Sequence, residues 1–408
     1  MTMLKKILKD KTLLIVLGII ALALFLRLYN LSWPDWQVFD EIYYYNFGHD
    51  YLVGNYFFDV HPPLGKLFIS LGLSLFNNSI YGARFFQVIA GAIILYSIYI
   101  LALELFKDKR VALFSIILLF LETSFFIESR YALINIFIVL FTVPAYICFW
   151  RYREIQKDTY LYYSLFFASL SVCVKWTGAA TFAVFVAFIC LDEKTRTLFV
   201  KTFSDNIFAK IILCSCTIVL PYILLFIPDA IKGESFTTWH LQAFNFHKNL
   251  IGTHPYASKW YQWILDARPI WIEFKQNANS DVIGIVEVGN VVILWTALIA
   301  FFANIVYIIK KKNMPLLLVI LTILFNLIPW MIIKRESFYY HFIPMIPFVI
   351  ISCAYFLGNL YKNKYLKIIV AIVLVLAACF FIWFFPLLVG EKISFSSYDK
   401  RIIFGSWR

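Results

Sequence analysis

The chain of 408 residues is 62% hydrophobic and 20% aromatic, whereas soluble domains are roughly half apolar. Its net charge of +12 comes from basic residues spread over many short connections, which excludes a nucleic-acid footprint and favours attraction to anionic lipid headgroups. The composition excludes a soluble protein and predicts one integral-membrane domain over residues 1–408.

Apolar stretches recur from end to end, and a helix needs roughly 20 apolar residues to cross the hydrocarbon core. Because hydrocarbon offers no partners to backbone groups, we predict an all-α transmembrane bundle of about eleven spans. The first span is not expected to be a cleaved signal peptide, since no small-residue cleavage site follows Tyr29. The predicted spans are residues 13–29, 81–106, 111–127, 132–150, 161–174, 178–191, 208–228, 291–309, 315–333, 342–360 and 366–388.

Lysine and arginine residues mark alternate connections, as is typical of the cytoplasmic side. These clusters lie within residues 5–11, 107–110, 151–157, 194–201, 310–312 and 362–367. The alternation places the N-terminus in the cytoplasm and, with an odd number of spans, the C-terminus outside a plasma (inner) membrane. The long segments 30–80, 229–290 and 390–408 then face the extracytoplasmic side, where we expect the active site.

The first outer loop holds an acidic pair, Asp40-Glu41, followed by a His-Pro-Pro run from His61 to Lys66. Its apolar stretch 67–76 is too short to span and suits a helix lying in the interface. The second outer loop is rich in tryptophan and tyrosine, which are expected at headgroup level. The cysteines lie inside apolar spans without ligand-like spacing, so we predict neither disulfides nor a zinc site. Walker and dinucleotide-binding motifs are absent from the sequence, which argues against ATP hydrolysis and redox cofactors.

Over nearly its whole length the chain resembles the protein O-mannosyltransferases, GT-C glycosyltransferases that use a lipid-phosphate sugar. The resemblance rests on blocks in the family's order: Asp40-Glu41, His61 to Lys66, Glu122 with Ser129-Arg130, Lys175-Trp176-Thr177-Gly178, His254 to Trp260 running on to Arg268-Pro269, and Arg335 to His341. The chain departs from the family at Asn135, where an acid is usual, and the second loop is too short for the β-trefoil module of eukaryotic members.

The chemistry of such a transfer needs a general base for the acceptor hydroxyl and cations for the phosphate leaving group. We predict Asp40 as the base, with Glu41 positioning it, in a direct inverting displacement. Arg130 and Arg335 are predicted to bind the donor phosphate because a guanidinium fork matches phosphate oxygens, with Lys66 and Lys175 adding charge. The residues predicted around the sugar and acceptor are His61, Glu122, His254, Tyr340 and His341.

Other interpretations stay open at the level of sequence. Arg130, Lys334 and Arg335 could be anchors that snorkel to headgroups, and Glu122 could hold helices together. His240, His247 and His254 recur every seven residues, yet we predict no metal site and leave a divalent-cation requirement open.

The expected partners are a polyprenyl-phosphate sugar donor, a protein acceptor and membrane lipids, with a link to the secretion machinery left open. One alternative is a related GT-C enzyme that modifies a glycolipid or lipid A. Another is a transporter, although its charges would lie near the midplane instead of at one edge.

Overall fold

The structure, a computed structural model, describes residues 11–250, 254–277, 281–333 and 335–408. Lys5, Lys6, Lys9 and Lys334, used above for topology and anchoring, lie outside the described residues. The α-helices are α1 (Lys11–Leu28), α2 (Glu41–Val53), α3 (Leu64–Leu75), α4 (Ile80–Phe106), α5 (Lys109–Leu121), α6 (Thr123–Glu128), α7 (Asn135–Ile155), α8 (Asp158–Val174), α9 (Ala180–Leu191), α10 (Glu193–Thr202), α11 (Ile207–Leu225), α12 (Ile227–Ile231), α13 (Phe236–Asn249), α14 (Trp260–Leu265), α15 (Val291–Lys311), α16 (Met314–Ile332), α17 (Ile346–Tyr361), α18 (Lys367–Val389) and α19 (Phe395–Asp399). Short 3₁₀ helices cover Trp176–Ala179, Tyr339–Met345 and Gly405–Trp407, and the strands are β1 (Ile270–Gln276), β2 (Asp281–Glu287) and β3 (Lys392–Ser394).

The predicted all-α, multi-pass architecture is confirmed, but a count of eleven spans is not. Among the described residues eight helices are long and apolar enough to cross a bilayer, or nine if the pair Trp176–Leu191 and Glu193–Thr202, bent by 104°, is one span. The predicted third span is divided at Glu122, which accepts from the Phe125 N–H and so begins a new helix. The predicted fifth span corresponds to α8, which has 17 residues.

Charged residues at one end of the bundle pair with each other across short connections. Arg153 binds Asp192 with Nε–Oδ2 at 2.8 Å, and Arg151 binds Glu104 near the end of α4. Arg84 lies at the other end of the same helix, about 30 Å away at 1.5 Å per residue. The ion pairs and the acidic pair of the first loop therefore mark opposite ends of α4.

Helix α3 packs between α2 and α4 and also keeps an exposed apolar edge. A Cβ on Gly72 would lie 2.1 Å from the Gly82 carbonyl oxygen, so only glycine permits this approach of α3 to α4. Leu71 and Leu75 on the same helix are exposed. The short apolar stretch is thus a helix, as predicted, with one face on protein.

The second outer loop and the C-terminal segment form a three-stranded antiparallel sheet in the order β1-β2-β3, which the sequence did not predict. The Trp271 indole donates to the Trp407 carbonyl, and the Trp407 indole donates to the Asp266 carbonyl, each at 2.7 Å. Trp263 and Trp271 are buried in protein, so the predicted belt at headgroup level is wrong for these residues. Their N–H groups find backbone or side-chain acceptors, which explains why burial is tolerated.

Candidate active site

A cavity of about 1110 Å³ opens beside the first outer loop. Its walls come from the start of α9, the end of α13, the end of α16 and the segment 335–344. Most of the lining is apolar and includes Ala180, Ala183, Phe325, Ile328 and Ile333. The charged and titratable side chains of the lining are His61, Lys175, His247, Lys248, Arg335, Glu336 and His341. The cavity can therefore hold an amphipathic ligand with an anionic head.

The polar side chains of the lining lie close to one another, and Arg335 contacts two of the histidines. The Arg335 Nη1 lies 3.0 Å from His247 Nδ1, and Arg335 Nη2 lies 3.5 Å from His341 Nε2. The His61 and His247 rings stack with centroids 5.8 Å apart.

Burial and neighbouring cations shift the titration of this group. Burial, with Arg335 adding to it, lowers the pKa of Lys175 to about 8 and lowers that of His247. Burial, with help from Lys175, also holds the pKa of His61 well below its usual range. An anion bound here would relieve this repulsion, so the group is suited to a phosphate.

Asp40 lies directly before α2 and makes no capping hydrogen bond. Burial raises the pKa of its carboxyl to about 6, while the nearby Lys175 ammonium opposes this shift and Asp59 adds to it. Its neighbour Phe39 packs edge-on against Tyr340, with ring centroids 6.4 Å apart. Asp40 does not itself line the cavity; it lies within electrostatic reach of Lys175, which does. A carboxyl near pKa 6 is suited to accept a proton at neutral pH.

Glu41 differs from Asp40 in having all its acceptor capacity engaged. It is 2% exposed and binds Arg84 through both oxygens, each at 2.8 Å. It also accepts from the backbone N–H groups of Ala132 and Val38 at 2.6 and 3.0 Å. Removing one partner from such a buried pair typically costs about 3–5 kcal/mol. Glu41 therefore joins three segments and contributes to the position of Asp40 instead of facing the cavity.

Lys66 is also engaged within the protein. Its ammonium lies 2.5 Å from Asp59 Oδ2 and 2.5 Å from the His61 carbonyl oxygen. The Asp59 carboxylate offsets the charge of Lys66, and a role of Lys66 at the phosphate stays a prediction. Lys66 fixes the backbone of His61, whose ring lines the cavity.

Arg130 is not among the residues that line the cavity, and its predicted role at the phosphate stays a prediction. It is fully buried and donates to the carbonyl oxygens of Arg27 and Asn30 at 2.5 and 2.9 Å. These carbonyls lie at the end of α1, where the last turn leaves acceptors without helical partners. Arg130 thus satisfies a helix terminus, and it does not reach headgroups as an anchor.

Two of the predicted pocket residues lie elsewhere. Glu122 is fully buried and accepts from Ser124 Oγ at 2.7 Å and from the Asn290 N–H at 3.0 Å. These bonds join the start of α6 to the start of α15, an arrangement consistent with the alternative in which Glu122 holds helices together. His254 is exposed and packs against the Phe338 ring with centroids 5.2 Å apart.

Tyr340 and His341 do lie at the cation cluster. The Lys175 Nζ lies 5.0 Å from the centroid of the Tyr340 ring. His341 lines the cavity, and its Nδ1–H donates to the Phe338 carbonyl oxygen at 3.1 Å in the tautomer that lets Nε2 accept. This bond leaves Nε2 turned towards Arg335.

Sequence reasoning missed a role for His247, Asp59 and Trp176. His247 was considered only as one of three equally spaced histidines, and the structure turns it to Arg335 from the end of α13. Trp176 lines the cavity, and its indole donates to Tyr222 Oη at 2.9 Å. Among the described residues, no group of three or more histidine, cysteine or acidic residues is placed to hold a metal ion.

Comparisons with known sequences cover both halves of the chain. The family profile described as "Dolichyl-phosphate-mannose-protein mannosyltransferase" matches residues 18–237. A second profile, "C-terminal four TMM region of protein-O-mannosyltransferase", matches residues 232–407. The chain is 23% identical to a polyprenol-phosphate-mannose–protein mannosyltransferase of Mycolicibacterium smegmatis, over 96% of this chain and 92% of that protein. It is 29% identical to dolichyl-phosphate-mannose–protein mannosyltransferase 1 of Saccharomyces cerevisiae over 45% of this chain and 25% of that protein.

Solved structures share the fold. The S. cerevisiae protein O-mannosyltransferase Pmt1-Pmt2 complex bound to the sugar donor matches with a TM-score of 0.83 at 15% identity, over 98% of this chain and 93% of that chain. ArnT from Cupriavidus metallidurans in the apo state matches with a TM-score of 0.63 at 12% identity, over 95% of this chain and 71% of that one.

Proposed function

Because the chain belongs to the dolichyl-phosphate-mannose-protein mannosyltransferase family, we propose that it transfers mannose from a polyprenyl-phosphate-mannose donor to Ser and Thr hydroxyls of translocated proteins. The observation that carries this proposal is the amphipathic cavity. Its lining combines the cations Lys175 and Arg335 with apolar residues, and Lys175 lies within electrostatic reach of Asp40. A lipid phosphate has the matching chemistry.

In the proposed mechanism the donor phosphate lies at Arg335, Lys175 and the cavity histidines, and the isoprenoid follows the apolar wall between α9 and α16. Asp40 accepts the proton of the acceptor hydroxyl while the hydroxyl oxygen attacks the anomeric carbon of the donor sugar. The bond from that carbon to the phosphate oxygen breaks, and the configuration inverts. A phosphate leaves as a stable anion, so the leaving group needs no acid. The cations offset the charge that develops on it.

The proposed orientation follows the basic clusters of the sequence. The end of the bundle with Arg151 and Arg153 faces the cytoplasm, together with the N-terminus. The cavity, the β-sheet and the C-terminus then face the extracytoplasmic side, where translocated chains pass. A protein acceptor delivered by the secretion machinery would reach Asp40 from that side.

The function can be tested with purified protein, polyprenyl-phosphate mannose and a peptide with a single Thr. We expect a mannosylated peptide, detected by mass spectrometry as one added hexose on the Thr, and no product from a peptide with Val in its place. Transfer to a glycolipid in the same reaction, with none to peptide, would support the glycolipid alternative and contradict the protein acceptor. Absence of both products would contradict the proposed function.

The pH dependence of kcat/KM for transfer should be bell-shaped. Asp40 acts as a base only when ionised, and its pKa is raised to about 6, so kcat/KM should fall below that pH. Lys175 binds phosphate best when protonated, and its pKa is lowered to about 8, so kcat/KM should fall again above that pH. Initial rates between about pH 5 and pH 9 give the two limbs, which report on the free enzyme. A rate that keeps rising through about pH 9 would contradict the role of Lys175.

A further inference from the structure

A chain of hydrogen-bonded side chains runs from α6 to the cavity. Glu128 ends α6, Asn135 begins α7, and Lys175 follows α8. The Asn135 amide nitrogen donates to Glu128 Oε1 at 2.9 Å, and the Lys175 ammonium donates to Asn135 Oδ1 at 3.2 Å. Glu128 is 0% exposed, and the other two side chains are each 7% exposed. Three separate helical segments therefore converge on one buried polar chain.

The partners determine how the Asn135 amide is oriented. A carboxylate only accepts hydrogen bonds and an ammonium only donates them. With the amide reversed, its oxygen would face the carboxylate and its NH₂ group would face the ammonium. Both contacts would then be repulsive, so only one orientation satisfies both neighbours.

Asn135 supplies the only hydrogen bond that the Lys175 ammonium makes among the described residues. An ammonium carries three N–H donors, so two are left for a ligand in the cavity that Lys175 lines. The Tyr340 ring covers another side of the ammonium. Lysine otherwise has a long flexible stem, and a single fixed acceptor limits where its charge can lie.

Lys66 offers a contrast within the same protein. It contacts the Asp59 carboxylate directly, at 2.5 Å, and is neutralised there. Lys175 instead reaches Glu128 only through a neutral amide. The spacer lets the carboxylate stabilise the ammonium without occupying the donors that a phosphate requires.

We propose that Glu128 and Asn135 are positioning residues, which hold the Lys175 ammonium at the cavity as a free cation for the donor phosphate. This inference rests on the proposed function, because it assigns the two residues to the same lipid-phosphate site. Glu128 supplies the balancing charge when it is ionised, and Asn135 supplies the distance. Burial raises the pKa of the Glu128 carboxyl to about 8, while the Asn135 hydrogen bond and the Lys175 charge oppose this shift. Neither residue touches the ligand.

Moving the negative charge from residue 128 to residue 135, one step along the hydrogen-bonded side chains, tests the proposal. The variants are Glu128→Gln, Asn135→Asp and the double variant, with Glu104→Gln as a matched control at the opposite end of the bundle. The measurement is affinity for undecaprenyl phosphate in detergent across pH, followed by the fluorescence of Trp176 and Trp330 in the cavity wall. The basic groups around Lys175 are Arg335, His61, His247 and His341, and the other titratable groups are Asp40, Asp59, Glu128 and Tyr340, with Glu287 close to Glu128.

We expect the alkaline midpoint of binding to move in opposite directions. Glu128→Gln removes the distant negative charge and should lower the midpoint by on the order of one pH unit. Asn135→Asp places a carboxylate against the ammonium, so it should raise the midpoint by about as much and weaken binding at neutral pH about tenfold. The double variant should return the midpoint towards wild type, and Glu104→Gln should leave it unmoved.

A loss of structure alone cannot produce this pattern, because loosened packing would shift both single variants in one direction. Shifts in the same direction, or no shifts, would overturn the inference, as would a wild type that does not bind undecaprenyl phosphate. The readout needs no sugar transfer. A wild type that binds the lipid phosphate but transfers no mannose would therefore contradict the proposed function and leave the positioning roles intact.

Discussion

Replacing Asp40 with asparagine should lower kcat for mannosyl transfer by about 10²- to 10⁴-fold, the usual contribution of a general base. The amide keeps the size of the carboxyl group and cannot accept the hydroxyl proton. Initial rates with a Thr peptide at saturating donor measure the effect. Full activity of Asp40→Asn would remove the base from the proposed mechanism.

The Asp40 variant should keep its fold, which makes the result interpretable. The side chain has no capping hydrogen bond to lose, and burial raises its pKa to about 6. A carboxyl whose pKa rises on folding destabilises the folded protein when ionised, above that pH. A neutral amide should therefore leave thermal stability near neutral pH unchanged or higher.

Asp35→Asn is the matched control for Asp40→Asn. It changes an exposed acid on the same loop, five positions earlier, and should leave kcat unchanged. The acid limb of the pH profile should disappear from the residual activity of Asp40→Asn and persist in the control. Equal losses in the two variants would indicate an effect of loop charge instead of a base.

Sequence patterns predicted the bundle well wherever the bilayer sets the length of an element. The predicted span 81–106 corresponds to α4, and the span 291–309 corresponds to α15. The break at Glu122 was missed because a long apolar run contains no signal for a carboxylate that begins a helix inside it. The pairing of β3 with β2 was missed because it joins residues more than a hundred positions apart. The local pairing of β1 with β2 was missed because the aromatic residues around β1 suited an interfacial belt equally well.

The sequence placed the charged groups on one side of the protein but could not assign their partners. Asp40 and Glu41 are adjacent, and neighbouring residues at a helix start point about 100° apart, so only one of them can meet Arg84. Arg130 and Arg335 have the same chemistry in sequence, and they differ only in which acceptors the fold brings to each. His247 joins the cluster because α13 ends beside the cavity, which no local pattern records. Partner choice is a tertiary property, and it decides which cations stay free.

Replacing Arg335 with alanine should weaken donor binding and slow transfer, each by about 10- to 100-fold, because charge-assisted hydrogen bonds are worth roughly 1.5–3 kcal/mol. The Arg335 guanidinium can donate to two phosphate oxygens through Nη1 and Nη2, which face His247 and His341 in this structure. Donor KM and kcat, measured separately at saturating peptide, give the two effects.

Arg335→Lys separates the fork from the charge. It keeps a cation at the cavity and loses the planar pair of donors, so donor affinity should fall by only about tenfold. Arg110→Lys makes the same exchange at an exposed ion pair with Asp108 and should change neither constant. An alanine variant with wild-type donor KM would place the phosphate elsewhere in the protein. The Arg335 charge lowers the pKa of Lys175, so removing Arg335 should move the alkaline midpoint of donor binding to higher pH. A loss of the fold would not produce that shift.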